Sequence, residues 1–270
     1  MEPSFSRYVA ELAGARPHRA DGGLIGPENF AAVESVESTN QLARAVVAEY
    51  EREAQVLHPL LIVAFEQSGG RGRQGRSWSS PRGKGVYATR VLGVAGPELL
   101  QTLPLLVAIG LCRGLAPHLP VPCRLKWPND LVVETAAGRR KIGGILIEAL
   151  VRPGEGAAAI VGFGVNHGHT AEELPETATS IRLLHGDVPL ARLTWDLVAA
   201  LESELAHLGD TDYAVAAYRD LAVHRPGEPI VCRVGDGLIE GTFRGFDERG
   251  RLRLERDGEE LELTAGEVIE

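Results

Sequence analysis

Buried-strand runs and amphipathic helices follow one another irregularly along the first 224 residues of the chain. Apolar runs rich in β-branched residues, such as 60–65, are typical of buried strands, and apolar residues at helical spacing within 39–54 predict an amphipathic helix. The regular strand–helix–strand alternation of a doubly wound parallel sheet is absent, so the pattern predicts an α+β fold. The predicted strands are 60–65, 85–92, 124–133, 142–151 and 158–165, and the predicted helices are 39–54, 99–119, 190–208 and 213–223.

After His224 the sequence contains short strand patterns and no helix. The turn sequences Gly-Asp-Gly, Glu-Arg-Gly and Asp-Gly separate four segments, 230–234, 238–245, 251–255 and 260–264. Short strands at hairpin spacing predict a small β-barrel of about 45 residues. We therefore expect an irregular arm over residues 1–30, a large domain over 31–224 and the barrel over 225–270.

The charge and the cysteine content exclude several classes of function. The chain has 270 residues and a formal net charge of −9, which opposes the phosphate neutralisation on which non-specific nucleic-acid binding depends. Cys112, Cys123 and Cys232 form no Cys-x-x-Cys pair, so they predict neither a zinc site nor a disulfide framework, but small buried side chains in a reducing compartment. With no secretory signal and no apolar run of about 18 residues, we expect a cytoplasmic protein without a membrane span.

A glycine- and arginine-rich stretch follows the first predicted strand. No acidic residue occurs from Gln67 to Pro97, although the whole chain is acidic. Glycines let backbone N–H groups approach an anion, and guanidinium groups bind phosphate or carboxylate through paired hydrogen bonds. The stretch predicts an anion-binding loop, unless it is only a solvated segment. Gly70-x-Gly72-x-x-Gly75 matches the dinucleotide fingerprint formally, but no helix pattern follows it, as that fingerprint requires. The basic residues are Arg71, Arg73, Arg76, Arg82, Lys84 and Arg90.

Two further segments carry side chains suited to phosphate chemistry. Asn129 and Asp130 end the segment Lys-Trp-Pro-Asn-Asp, and a carboxylate beside phosphates is a natural ligand of Mg²⁺. Lys141 enters a predicted buried strand through Gly143 and Gly144, where a ligand could lie flat against the backbone. Each segment alone also fits a structural role, a Pro-Asn-Asp turn in one case and a surface lysine before a β-bulge in the other.

Together and in this order, the segments resemble those of biotin protein ligases. The resemblance covers about residues 33–270. It implies a mixed-sheet catalytic domain related to class II aminoacyl-tRNA synthetases, followed by an SH3-like barrel. The residues before this region leave no room for a helix-turn-helix, so we expect the monofunctional type rather than a repressor. The matching segments are Glu37-Ser-Thr-Asn40, Gln67 to Trp78, Lys126-Trp-Pro-Asn-Asp130, Lys141-Ile-Gly-Gly-Ile-Leu-x-Glu148 and Gly162-Phe-Gly-Val-Asn166.

The reaction that the resemblance implies has two steps. Biotin and Mg²⁺-bound ATP form biotinyl-5′-adenylate and pyrophosphate, and a lysine of a biotin carboxyl carrier protein then attacks the mixed anhydride. The expected partner is the carrier domain of an acyl-CoA carboxylase; a homodimer is left open, and neither DNA nor a membrane is expected. Two alternatives are a lipoate or octanoate ligase or transferase on the same fold, and a biotin-sensing module without catalysis.

The family's functional positions transfer to this chain residue by residue. Catalytic roles are implied for Lys141, Arg71 and Asp130, because cations must separate the biotin carboxylate from the α-phosphate, and Asp130 is also the Mg²⁺ candidate. The biotin positions are Ser38, Thr39, Asn40, Gln67, Arg71, Gly72, Arg73, Lys141, Gly144 and Gly164. The ATP positions are Arg73, Arg76, Trp78, Lys126, Asn129, Asp130, Lys141 and Asn166.

Some of these residues also fit a structural role. Ser38 could form a capping box with Gln41 at the start of the first predicted helix, alone or in addition to binding biotin. Trp78 and Trp127 are expected to pack beneath the loop rather than to stack on adenine. The two histidines that follow Asn166 lack a nearby cysteine or carboxylate at ligand spacing, so they do not predict a metal site.

Overall fold

The computed structural model describes residues 4–16, 29–152, 156–185 and 188–269, which form two β-sheets and six α-helices. The helices are α1 (Phe5–Ala15), α2 (Thr39–Arg52), α3 (Leu103–Leu115), α4 (Ile181–His185), α5 (Leu190–Leu205) and α6 (Thr211–Leu221). The strands are β1 (Asn29–Val33), β2 (Leu60–Ala64), β3 (Gly85–Val94), β4 (Cys123–Lys126), β5 (Asp130–Thr135), β6 (Gly138–Arg152), β7 (Gly156–Asn166), β8 (Pro229–Val234), β9 (Gly237–Phe246), β10 (Leu252–Arg256), β11 (Glu259–Leu263) and β12 (Glu267–Ile269).

Seven strands form the larger sheet, in the order β1-β2-β3-β7-β6-β5-β4. β1 and β2 run parallel, and the other neighbours are antiparallel. Helices α1, α3 and α5 join the large hydrophobic core on one face of the sheet, and α2 packs through Ala43 and Val47 on the other face. This mixed sheet with helices outside it confirms the α+β class.

The two faces of β7 differ because successive side chains of a strand point to opposite sides. Ala159, Val161 and Phe163 belong to the large core. The alternate positions Gly162 and Gly164 face the side on which α2 lies, where Asn40 and other side chains approach them closely. A pocket can therefore form on the α2 side without disturbing the core.

Five antiparallel strands form the second sheet, in the order β11-β10-β9-β8-β12. No pairing joins β11 to β12 in the described residues, so these strands form an open antiparallel sheet where the sequence predicted the small β-barrel. Phe243 and Phe246 lie in the large core, and the ring of Phe246 contacts Tyr218 of α6 edge-on at 5.2 Å between centroids. The second sheet thus packs directly on the larger domain.

The N-terminal segment differs from the irregular arm expected over residues 1–30. The Ser4 side chain accepts a hydrogen bond from the Arg7 N–H and caps α1, and Tyr8 and Leu12 are buried in the large core. The spacing of these two residues is helical, but the surrounding glycine, proline and arginine residues obscured it. Residues 17–28 of the expected arm lie outside the described residues.

Smaller differences concern element ends. The expected helix 99–119 is α3 with a 3-10 turn on each side, and the expected strand 124–133 is divided into β4 and β5 by a turn that contains Pro128. The short elements β1, α4 and β12 were not predicted. The division of the chain at residues 30 and 224 stays a prediction.

The three cysteines are placed as the sequence predicted. Cys112, Cys123 and Cys232 are unpaired and buried, as small core side chains would be. In the described ranges, no helix has the length and apolarity to cross a bilayer.

Candidate active site

One cavity of about 350 Å³ opens on the α2 side of the seven-stranded sheet. Its walls are the glycine–arginine loop, the turn between β4 and β5, the α2-side face of β6 and β7, and a residue of the second sheet. Every residue to which the resemblance assigned a role in catalysis or ligand binding lines this cavity. These residues are Ser38, Thr39, Asn40, Gln67, Arg71, Gly72, Arg73, Arg76, Trp78, Lys126, Asn129, Asp130, Lys141, Gly144, Gly164 and Asn166. Arg82, Lys84 and Arg90 of the predicted anion-binding stretch lie outside the lining and pair with Glu34, Glu173 and Glu202.

Three glycines form a flat floor of backbone under the cavity. Gly144 on β6 pairs with Gly164 on β7, and Gly162 lies two residues earlier on the same face. A Cβ atom added to Gly162 would overlap the Asn40 amide, and one added to Gly164 would overlap the indole of Trp78. The missing side chains therefore let α2 and the loop approach the sheet.

A hydrogen-bonded network holds one end of the cavity together. The Thr89 hydroxyl of β3 donates to Asn40 Oδ1 at 2.7 Å, and its oxygen lies 2.8 Å from Thr39 Oγ1. Gln67 Oε1 accepts from the Thr39 N–H at 2.8 Å, and Gln67 Nε2 donates to Ser80 at 2.9 Å. Buried polar groups need such partners, and this network satisfies them internally. Thr39, Asn40 and Gln67 thus shape the pocket through bonds to protein.

Ser38 is placed differently from its neighbours. Its carbonyl accepts from the Leu42 N–H, but its hydroxyl makes no capping bond to α2. The capping box with Gln41 is therefore wrong. Ser38 is 3% exposed and lines the cavity, so its hydroxyl is available to a polar ligand.

Lys141 and Asp130 form an ion pair in the cavity wall, with 2.6 Å between Lys141 Nζ and Asp130 Oδ1. A bulge in the pairing of β5 with β6 lies beside Lys141. The Lys141 backbone is held on its other side, because its N–H donates to the Thr177 carbonyl at 2.8 Å and its carbonyl accepts from the Thr179 N–H at 2.9 Å. The backbone that carries the Lys141 ammonium group is thus held by hydrogen bonds to its neighbours.

The three loop arginines have different partners. Arg71 lies 3.7 Å from Glu37, and the Arg73 guanidinium donates to Asn129 Oδ1 at 3.5 Å. Arg76 binds Glu267 of β12 at 2.7 Å. Burial lowers the pKa of Arg73, and Asp130 opposes this shift. Arginine is protonated throughout the physiological pH range, so Arg73 remains a cation for the site.

The two tryptophans do not share one role. Trp127 is 4% exposed and belongs to the large core, as expected for a packing residue. The indole of Trp78 lies on the glycine floor, with the Lys141 ammonium 5.4 Å from its ring centroid. The buried Trp78 Nε1 has no hydrogen-bond partner, and such a donor inside a pocket is suited to a ligand.

Two family profiles match the chain. Residues 32–166 match the biotin/lipoate A/B protein ligase family, and residues 227–269 match the biotin protein ligase C-terminal domain. The chain belongs to the biotin protein ligase family. The second profile covers the open five-stranded sheet, which is thus this family's C-terminal domain.

Individual biotin protein ligases agree with this assignment. The chain is 30% identical to the bifunctional ligase/repressor BirA of Escherichia coli, over 92% of this chain and 74% of that protein. It is 32% identical to the biotin–[acetyl-CoA-carboxylase] ligase of Paracoccus denitrificans, over 77% of this chain and 89% of that protein. The structure of the Aquifex aeolicus biotin protein ligase in complex with biotin and ATP has the same fold, with a TM-score of 0.69, 24% identity and coverage of 90% of this chain and 98% of that one.

Several residues of the site were missed by sequence reasoning. The segment that contains Thr177 and Ala178 forms a wall and holds the Lys141 backbone, and Glu267 reaches the loop from the second sheet. Thr89 and Glu148 lie behind the pocket and bind Asn40. Glu148 was part of the matching motif, but nothing in the sequence pointed to the other four.

The protein offers one ligand to a magnesium ion at this cavity and not a complete set. No group of three or more His, Cys, Asp or Glu side chains able to hold a metal occurs in the described part of the chain. Asp130 supplies a carboxylate at the cavity, so the remaining ligands would come from ATP phosphates and water, as is usual for Mg²⁺. His167 binds the Val188 carbonyl, and the His169 ring is buried.

Proposed function

We propose that the chain is an ATP-dependent ligase that activates biotin as biotinyl-5′-adenylate and transfers the biotinyl group to a lysine of a biotin carboxyl carrier domain. The observation that carries the proposal is the composition of one cavity, in which a glycine floor and a polar end adjoin the Lys141–Asp130 pair and Arg73. A small neutral ring fits the first part and a phosphate the second. The names of relatives support biotin over lipoate, as does the match to the biotin ligase C-terminal domain.

The first step joins two anions, the biotin carboxylate and the α-phosphate of ATP. A carboxylate oxygen forms the new bond to the α-phosphorus, and the bond to the pyrophosphate oxygen breaks. Lys141 and Arg73 place positive charge where the anions meet and where negative charge develops, which is how preorganised cations lower such barriers. Asp130 would hold a Mg²⁺ ion that enters with ATP, and that ion would supply further neutralisation of the phosphates.

The second step transfers the biotinyl group. The amine of the carrier lysine attacks the carbonyl carbon, a C–N bond forms, and the bond to the AMP oxygen breaks. The attacking amine must lose a proton, and the Asp130 carboxylate at the cavity wall is the group placed to accept it. Lys141 stabilises the negative charge that returns to AMP. The residues expected to hold biotin are Ser38, Arg71 and Gly72, with the floor and the internal network as their support.

The proposal extends to partner and compartment. The carrier domain of an acyl-CoA carboxylase is the proposed partner, because relatives are named for that substrate. The proposed substrate ATP and the proposed carboxylase partner support a cytoplasmic location. A homodimer and the absence of DNA binding stay predictions.

Biotin-dependent exchange of radiolabelled pyrophosphate into ATP tests the first step, and the mass of a purified carrier domain after incubation tests the second. We expect exchange only with biotin, ATP and Mg²⁺ together, and the addition of one biotinyl group to the carrier. Lipoate and octanoate run in parallel. Activity with either of these acids and not with biotin would establish the alternative ligase or transferase. Biotin binding with neither exchange nor transfer would establish the sensing module.

A further inference from the structure

We propose that His224 is a positioning residue for adenylate formation, because its imidazole fixes the turn that carries Asn129 and Asp130. This inference rests on the proposed function. The imidazole Nε2 lies 3.2 Å from the Trp127 backbone nitrogen in a buried contact. Trp127 begins the turn between β4 and β5, and His224 lies in the segment that joins the larger domain to the second sheet.

The joining segment pairs with β4 through one isolated parallel bridge. Leu125 and Ala222 form a parallel bridge, and the Val223 N–H donates to the Leu125 carbonyl at 2.9 Å. If this ladder continued, the Trp127 N–H would bind a backbone carbonyl of the joining segment. The side chain of His224 takes that place. The backbone pairing thus ends before Trp127, and the His224 side chain accepts the hydrogen bond from the Trp127 N–H instead.

The inner side of the same turn is bound to β6. The Ile145 N–H donates to the Asn129 carbonyl at 3.0 Å, and Asn129 Nδ2 donates to the Ile145 carbonyl at 2.8 Å. The outer side is held at the Trp127 N–H by His224. The turn is therefore clamped from both sides, and the clamp places Asn129 against Arg73 and Asp130 against Lys141.

The hydrogen bond from the Trp127 N–H defines the tautomer of the His224 imidazole. A backbone N–H only donates, so Nε2 must carry the lone pair, and a neutral His224 holds its proton on Nδ1. The ring is 7% exposed and packs against Phe243 of the second sheet, with 5.7 Å between ring centroids. This packing leaves the Trp127 N–H without water as a substitute if the acceptor is removed.

Two substitutions separate the acceptor from the bulk of the side chain. His224→Gln keeps an acceptor oxygen at about the same reach, and His224→Leu keeps an apolar side chain without one. We expect His224→Leu to lower the adenylation kcat by about tenfold to a hundredfold, as small displacements of reacting groups do, and to raise the KM for ATP. The KM for biotin should change less than about twofold, and His224→Gln should restore most of the rate.

His118→Leu is the matched control. His118 has similar burial, binds Asp196 and does not line the cavity. The proposal is wrong if His118→Leu reproduces the loss, if His224→Gln is as slow as His224→Leu, or if both His224 variants keep the wild-type kcat.

A measurement on the unmodified protein is independent of activity. Long-range ¹H–¹⁵N correlation spectra should show His224 with an unprotonated Nε2 and a protonated Nδ1 at neutral pH. The opposite tautomer would overturn the proposal, even if His224→Leu did not fold. If the wild-type protein forms no adenylate, the proposed function fails, while this spectrum still decides whether the hydrogen bond exists.

Discussion

The ammonium group of Lys141 and the carboxylate of Asp130 are paired at 2.6 Å, but their side chains are 34% and 20% exposed. Ion pairs that water reaches in this way stabilise a fold by about 1 kcal/mol or less. The same ammonium group is worth far more where two anionic substrates meet, because charge develops there during the reaction. The pair therefore matters for chemistry more than for folding.

We expect Lys141→Ala to lower biotin-dependent pyrophosphate exchange by at least about a hundredfold. The free energy of unfolding in urea should change by about 1 kcal/mol or less. Lys84→Ala is the control, since Lys84 also pairs with a carboxylate, Glu173 at 3.4 Å, but lies outside the cavity lining. Full exchange activity in a folded Lys141→Ala protein would remove Lys141 from the mechanism.

The residues at the polar end of the cavity show that a motif does not reveal the hydrogen-bond partners of its side chains. Thr39, Asn40 and Gln67 were expected to hold biotin, and they do line the pocket. Their side chains, however, bind Thr89, Glu148 and Ser80, among others. A motif identifies residues that belong together, but the sequence does not show which of them bind each other or that Thr89 of β3 joins them.

At the scale of elements, α1 is the main addition to what the sequence predicted. It packs on α5, where the Tyr8 hydroxyl lies 3.1 Å from Thr194 Oγ1 and the Trp195 indole donates to the Leu12 carbonyl at 2.8 Å. The ring of Tyr8 also lies 5.4 Å from that of Phe65, which follows β2 and precedes the glycine–arginine loop. The helix therefore supports the strand end from which the loop begins.

Leu12→Ala should lower the free energy of unfolding by about 2–5 kcal/mol, because it leaves a cavity in a fully buried position. Chemical denaturation followed by circular dichroism measures the change. Arg7→Ala, on the exposed side of the same helix, is the control and should cost about 0.5 kcal/mol or less. Equal stability of the Leu12→Ala protein and the wild type would mean that α1 does not contribute to the core in solution.

At the scale of the whole molecule, Glu267 connects the second sheet to the site. Its carboxylate binds Arg76 at 2.7 Å and lies 3.8 Å from Arg233. Burial alone would raise the pKa of Glu267, but the hydrogen bond from Arg76 and the charges of Arg76, Arg233 and Lys126 outweigh it and lower this pKa below its usual value of 4.5. The folded state thus favours the ionised carboxylate.

This shift predicts how the domain contact depends on pH. Because the pKa of Glu267 is lower in the folded than in the unfolded state, its contribution to stability is complete above the unfolded pKa and is lost as the pH falls through the folded one. Wild type should exceed Glu267→Gln in unfolding free energy by about 1 kcal/mol or less at pH 7, with the difference shrinking below about pH 5. Urea denaturation at a series of pH values measures it, with the exposed Glu240→Gln as control. A difference that grows toward low pH would contradict the assignment.

The sequence by itself determined the elements with strong periodicity, the α+β class and most of the residues that line the cavity. Strand runs, helical spacing and the glycine–arginine and Lys-Trp-Pro-Asn-Asp segments are local, so a short window contains the information. The glycines at 162 and 164 belong here too, since only a residue without a Cβ permits the approach of Asn40 and Trp78.

The tertiary structure alone decided which distant groups meet. It placed α1 in the core, left the second sheet open, brought Glu267 to Arg76, and set His224 against the Trp127 N–H. The physical reason is that these contacts depend on how whole faces pack. A hydrogen bond or ion pair stabilises the fold only when both partners are present. Where the partners are far apart in sequence, neither local sequence identifies the other, and only the assembled sheets and helices bring them together.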